Sequence, residues 1–183
     1  MKMNNENAVS PVVGVMLMLV VVIIIAAVVS AYAGGAVGGV KKVPQATITG
    51  KFSISNGLEI IHAGGDGLAT ADTVFIIRDG SMFGPNLEQK TAQVLNTSLI
   101  ANSKGQYLNT GTGTLGFSSF MSGDSLYIDG FNATCPNLQP GVNAAGIASY
   151  CISNSDNVGK VFSLEVSDSR GNLISKSDVS ISP

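Results

Sequence analysis

Residues 9–33 read VSPVVGVMLMLVVVIIIAAVVSAYA, and the fold turns on what that stretch becomes. From Val12 to Val29 no side chain is polar, and no charge occurs between Glu6 and Lys41. Those 18 residues, at 1.5 Å each, make a helix of roughly 27 Å, close to the hydrocarbon thickness of a bilayer. Ser10 suits an N-cap, and Pro11 suits the first helical position, where a missing N–H costs nothing. Tyr32 falls where an aromatic side chain can rest at a membrane interface. The pairs Gly34-Gly35 and Gly38-Gly39 loosen or end the helix. A spanning helix within residues 9–40 is therefore expected, preceded by a short polar segment, residues 1–8.

Beyond Lys41 the composition changes to Ser, Thr, Asn, Asp and Gly with scattered Val and Ile. The chain thus reads as two environments, one without water and one in it. A length of 183 residues leaves room for one domain, residues 41–183, besides the helix. Only 12% of residues are charged and the net charge is −2, so no basic patch points to nucleic acid or acidic lipid.

The apolar stretch admits other readings. A secretory signal peptide has a shorter apolar core, about 7–15 residues, followed by a small-residue cleavage site. A cut near Ala31-Tyr32-Ala33 would fit that reading. A plain single-pass anchor is a third reading. Lys2 and the α-amine oppose Lys41 and Lys42, so the positive-inside rule leaves the orientation open. The polar part holds two cysteines, Cys135 and Cys151, separated by a turn-rich stretch. They are either ordinary buried thiols or a disulfide in an oxidising compartment, where such a loop is worth about 3 kcal/mol. The sequons Asn96-Thr97-Ser98 and Asn132-Ala133-Thr134 also favour an exterior location, with Asn96 and Asn132 as glycosylation acceptors.

The segment Asn7-Ala8-Val9-Ser10-Pro11-Val12-Val13-Gly14, continuing into Val15-Met16-Leu17-Met18, resembles the N-terminal signature of archaeal type IV pilins. The resemblance covers residues 1–33. It implies a prepilin peptidase cut between Ala8 and Val9, so that the apolar helix stays on the mature protein. It also implies a membrane-bound precursor and an extracellular filament assembled by a membrane platform and a cytoplasmic ATPase. Bacterial relatives carry a glutamate at the fifth mature position, but here that position is Val13, and no acid occurs from Val9 to Leu58. Pairing of an acid with a neighbour's α-amine therefore cannot come from this helix.

An all-apolar helix gains little from the hydrophobic effect on leaving lipid for a filament core, so association must rest on close packing. Ala26 with Ser30, Ala27 with Ala31, Ser30 with Gly34 and Ala31 with Gly35 are overlapping small-xxx-small pairs that let backbones approach. Gly14 adds a small position near the other end.

From Gln45 onward, short β runs alternate with turn residues. Strands are expected at Ala46–Ser55, Leu58–His62, Thr73–Arg78, Ser125–Asp129, Val161–Val166 and Leu173–Ile181. Asn56-Gly57, Asp79-Gly80, Asp129-Gly130 and Arg170-Gly171-Asn172 mark turns. The expected fold class is α+β: a long N-terminal hydrophobic helix followed by an all-β head, a sandwich or a partial barrel. Gly105–Gly123 reads as one long Gly/Ser/Thr loop.

Little in the head suggests chemistry. His62-Ala63-Gly64-Gly65-Asp66 resembles a turn seen in heads of the same pilin family, with His62 expected to cap the turn after a strand. His62 is the sole histidine, so no His-pair metal site or His-bearing triad can form. Gly111-Thr112-Gly113-Thr114-Leu115-Gly116 matches G-x-G-x-x-G formally, but follows no clear strand and opens no helix, against dinucleotide binding. Asp66 and Asp72 are too few oxygens for calcium. No enzyme activity, cofactor or metal is expected. The expectation is a filament subunit acting in adhesion; an anchored extracellular binding module and an archaellin of a motility filament are the alternatives. The Ser10-Pro11 pair favours a pilus over an archaellum, whose helices usually start Gly/Ala-rich with Phe.

Overall fold

The computed structural model describes residues 11–33, 42–86, 91–138 and 151–183. The chain divides into two compact units, residues 1–42 and 43–183. In the first, helix α1 spans Pro11–Ala33 with Pro11 at its first position and no acidic residue in its first turn. Its 23 residues extend roughly 34 Å. Ser10, Gly34, Gly35, Gly38 and Gly39, expected to cap and end the helix, lie outside the described residues.

The second unit is built on one curled eight-stranded sheet, a half-barrel. In chain order the strands are β1 (Ala46–Ser53), β2 (Gly57–Gly65), β3 (Leu68–Ala69), β4 (Thr73–Asp79), β5 (Gln93–Val94) and β6 (Ala101–Asn102). Then follow β7 (Ser119–Phe120), β8 (Ser125–Asp129), the single-turn helix α2 (Cys135–Leu138), β9 (Val161–Asp168) and β10 (Leu173–Ser182). The sheet order is β5-β4-β9-β10-β1-β2-β8-β6, and β3 and β7 pair separately. A long N-terminal apolar helix and an eight-stranded half-barrel bear out the α+β expectation in its partial-barrel form.

Alternation explains which face is inside. In β4 every second residue is buried, with Phe75 and Ile77 pointing in beside Thr73 and Asp79. Leu58, Ile60 and His62 of β2, Leu126 and Ile128 of β8, and Phe162, Leu164 and Val166 of β9 line the same core. Phe52 meets Phe162 edge-on at 5.7 Å between ring centroids, which locks the central strands together. Strand β1 is paired antiparallel with β2 and parallel with β10, the parallel register running through Phe52↔Ile181 and Ser53↔Ser182. Further along, side chain replaces ladder: Ile48 N donates to Ser175 Oγ at 2.9 Å, and Ser175 Oγ donates to the Ile48 carbonyl at 3.3 Å. Gly50 lies between, where an added Cβ would stand 2.6 Å from Val179 Cγ2.

Three sequence expectations need correction. β1 ends at Ser53 rather than Ser55, because Ser53 Oγ accepts from the amides of Ser55 and Asn56 and folds Ile54–Asn56 into a turn. β2 continues past His62 to Gly65, because Gly64 and Gly65 pair with Thr47 and Ala46. Gly105–Gly123 is not one open loop: bridges join Ala101 to Tyr107 and Asn109 to Leu115, and β7 follows. Its sparse apolar residues decide this, since Leu108 and Phe120 are fully buried. Gly111 and Gly113, with φ of 82° and 80°, form the tip of that hairpin, where Asn109 Oδ1 accepts from the Gly111 amide. The G-x-G-x-x-G match is thus a hairpin tip and precedes no helix.

Candidate assembly helix and the clasp in the head

Helix α1 is apolar on every side. Within Val12–Ala33 the most apolar 18-residue window has a mean hydropathy of 3.4, and the large apolar side chains range from 46% exposed at Val13 to 72% at Met18. No face is covered within its own unit, so every face is available to lipid or to another helix. Ala26, Ala27, Ser30 and Ala31 lie on the last turns and are exposed, with Ala27 and Ala31 one turn apart. At Gly14 an added Cβ would meet nothing within 4 Å. Gly34 and Gly35, the partners expected for Ser30 and Ala31, and the cleavage pair Ala8-Val9 lie outside the described residues.

In the head, His62-Ala63-Gly64-Gly65-Asp66 forms a clasp around Gln45, the residue just before β1. Asp66 N donates to the Gln45 carbonyl at 2.8 Å, and Gln45 N donates to Asp66 Oδ2 at 3.0 Å. Gly65, at φ 100°, is held so close that an added Cβ would stand 2.3 Å from the Gln45 carbonyl oxygen. His62 is fully buried, and its Nε2 lies 3.0 Å from the Asp66 carbonyl. A carbonyl only accepts, so Nε2 carries a proton and donates it to that bond. Nδ1 is buried without a hydrogen-bond partner among the described residues, and the ring stands edge-on to Phe120 at 5.1 Å. The His62 backbone also reaches the next turn, donating to the Asp124 carbonyl and accepting from Gly123. Gln45 was not recognisable as the partner from sequence, for nothing in its own surroundings marks it.

The other candidates are scattered. Cys151 is fully buried with Sγ 3.1 Å from Ser153 Oγ, and no free cysteine occurs among the described residues. Cys135 opens α2, and its side chain lies outside the described residues. Asn96 is exposed and caps the short 3-10 turn Thr97–Leu99, whereas Asn132 is half-buried and bonded to Asp129. Asp66 and Asp72 belong to no group of three or more His, Cys, Asp or Glu side chains able to hold a metal ion among the described residues.

Two polar clusters went unread in the sequence. Glu165 on β9 joins Arg78 on β4 at 2.7 Å and Lys176 on β10 at 3.4 Å, tying three neighbouring strands on one face. Asp168 holds the β9–β10 hairpin by accepting from the side chain and amide of Asn172 and from Arg170. The Asn172 side chain is the chief cause that lowers its carboxyl from 3.8 to about 2, against the opposing effect of burial. An Asp four residues before an Asn across Arg-Gly is a readable signal for such a cap.

Comparison with curated proteins gave no match. Residues 7–48 match the family model described as archaeal type IV pilin, N-terminal, a span that takes in all of α1 and the first three residues of β1. Over residues 7–48 the chain is thus similar to the N-terminal segment of archaeal type IV pilins, with an apolar helix inside the matched span and β strands following it in the chain.

Proposed function

We propose that this chain is the structural subunit of an extracellular type IV pilus-like filament, with α1 packed in the core, the β-rich unit displayed outward, and adhesion as its use. The observation that carries the reading is a helix apolar on every face within a segment matching the pilin N-terminal domain. Such a helix is at home in lipid before assembly and among copies of itself afterwards. The two environments are nearly equivalent to its side chains, so the direction of transfer must be set by outside work. A cytoplasmic ATPase and a membrane platform are the proposed source. A prepilin peptidase cutting between Ala8 and Val9 is the proposed trigger.

With no acid in the first turn of α1, subunit register cannot rest on a buried ion pair from this helix. Close approach at Ala26, Ala27, Ser30 and Ala31 is the proposed substitute, continued by Gly34 and Gly35. Outside the cell, a Cys135–Cys151 bridge is proposed to close the loop between α2 and β9. The absence of free cysteines among the described residues and the burial of Cys151 support it.

Mass spectrometry of the mature N-terminus, beside electron microscopy of sheared surface material, tests the reading. A start at Val9 on subunits of a filament is expected. A start at Met1 on unassembled membrane protein would make the chain a tethered binding module. A start near Gly34 would make it a secreted domain.

A further inference from the structure

The two sequons stand in opposite circumstances in the folded head. At the first, Asn96 is exposed and its Oδ1 accepts from Ser98 N at 3.0 Å, which holds the carboxamide at the start of the turn Thr97–Leu99. Its Nδ2 donates to nothing among the described residues, and Ser98 Oγ likewise makes no hydrogen bond there. At the second, Asn132 Nδ2 donates to Asp129 Oδ2 at 3.0 Å, and its backbone N donates to Asp129 Oδ1 at 2.9 Å. Its carbonyl accepts from Asn137 Nδ2 at 2.9 Å. Ala133, inside the sequon, is 2% exposed, and the Thr134 carbonyl accepts from the amides of Asn137 and Leu138.

We propose that the folded head offers Asn96, and not Asn132, as acceptor for an N-linked glycan delivered from a lipid-phosphate carrier. The assignment rests on the exterior placement of the head proposed above. Transfer forms a bond between Nδ2 and the anomeric carbon of the sugar and breaks the bond from that carbon to the phosphate oxygen. The Nδ2 proton is released, and the lipid phosphate leaves with the electron pair. A carboxamide nitrogen is a weak nucleophile because its lone pair is shared with the carbonyl, so an acceptor needs an Nδ2 that no other group holds. Asn96 meets that condition as folded. At Asn132 the Asp129 cap and the start of α2 would first have to come apart.

The position also has a use. Asn96 lies two residues past β5, the edge strand of the eight-stranded sheet, and Val94 on that strand is 56% exposed. An open edge with an exposed apolar side chain is a template for unwanted strand pairing, and a hydrated sugar beside it blocks that approach.

Glycopeptide mass spectrometry of the full chain, from filaments and membranes of the organism that makes it, is the test. The Asn96 peptide is expected to carry the glycan mass and the Asn132 peptide to be bare. Asn96→Gln should abolish the shift and Asn132→Gln should leave it unchanged. Asp129→Ala, which removes the acceptor that holds the half-buried Asn132 carboxamide, should raise glycan occupancy at Asn132 above that of the unaltered chain. Bare Asn96 in intact filaments, or a glycan on Asn132 of the unaltered chain, overturns the assignment and leaves the filament reading standing. A glycan on Asn96 of a chain that never polymerises upholds the assignment and overturns only the filament.

Discussion

From Val12 to Ala33 the chain leaves its apolar side chains outside any core of its own, whereas in the head Ile48, Phe52, Leu58, Ile60 and Phe75 are each 2% exposed or less. Both regions are rich in Val, Ile and Leu, so composition by itself does not separate them. Patterning does. From Val12 to Val29 nothing polar interrupts the apolar residues of α1, which leaves no preferred face, and any burial has to be supplied from outside this unit. In the strands, polar residues at every second position define an inside, and the sheet supplies its own burial by curling. On the proposed reading one region is completed by assembly and the other by folding, and substitutions should act on different observables in each.

The largest effect is expected from doubling the volume at the close-packing positions. A larger residue at Ala27 and Ala31 holds two backbones apart, and an overpacked apolar interface typically costs about 1–3 kcal/mol. In a helical polymer that cost recurs at each subunit. Ala27→Leu with Ala31→Leu should give a membrane-inserted monomer with a folded head and few or no filaments. Val21→Leu with Val22→Leu should be milder. Filament yield by electron microscopy beside a membrane immunoblot checks both, and equal yields would remove the small residues from the interface.

A matched pair of truncations sharpens the contrast. Leu164→Ala opens a cavity in the core of the half-barrel and should destabilise the head by about 2–5 kcal/mol. Leu19→Ala removes the same atoms from a side chain that is 57% exposed and should leave head unfolding unchanged. Thermal unfolding of the full chain in detergent, followed by circular dichroism in the strand band, reads both. A comparable shift from Leu19→Ala would mean that the two regions are not energetically separate.

The sequence was legible where a single segment carries its own signal. An 18-residue apolar run needs no partner to be recognised, and β8 at Ser125–Asp129 has the expected bounds because its alternation is complete. Two-residue strands such as β3, β5, β6 and β7 have too few positions to alternate, and they went unseen. Sheet order was equally hidden. β1 lies between β2 and β10 because Phe52 pairs with Ile181 and Ile48 meets Ser175, contacts that join distant parts of the chain and leave no local trace. The clasp was half legible: His62-Ala63-Gly64-Gly65-Asp66 stands out, but Gln45, which it grips, does not. A smaller destabilisation follows there. Gly65→Ala puts a Cβ against the Gln45 carbonyl at a positive φ, and should cost the head about 1–3 kcal/mol without touching α1. Unchanged thermal unfolding would show that the Gln45 strand entry yields easily.

The smallest expected effect belongs to Asp168 and depends on pH. Its carboxylate accepts from Asn172 Nδ2 at 2.9 Å, from Asn172 N at 2.8 Å and from Arg170 Nη2 at 2.9 Å. These donors favour the charged form, chiefly the Asn172 side chain, and bring the carboxyl from 3.8 down to about 2. A carboxyl that binds its proton less tightly when folded stabilises the fold wherever it is ionised in both states. The contribution is therefore fully present above pH 3.8 and is lost as the pH falls toward about 2. Asp168→Asn keeps the shape but sets an NH2 group or a neutral oxygen against those donors, so it should melt lower than the unaltered head at neutral pH. The gap should close as the pH falls through that window, while carboxyls common to both proteins shift the two curves together. Melting curves of the two full chains between pH 7 and 2 make the comparison. A gap that stays constant down to pH 2 would place the stabilisation in the shape of the Arg170-Gly171 turn, where Gly171 adopts φ 87°, instead of in the charge that the turn surrounds.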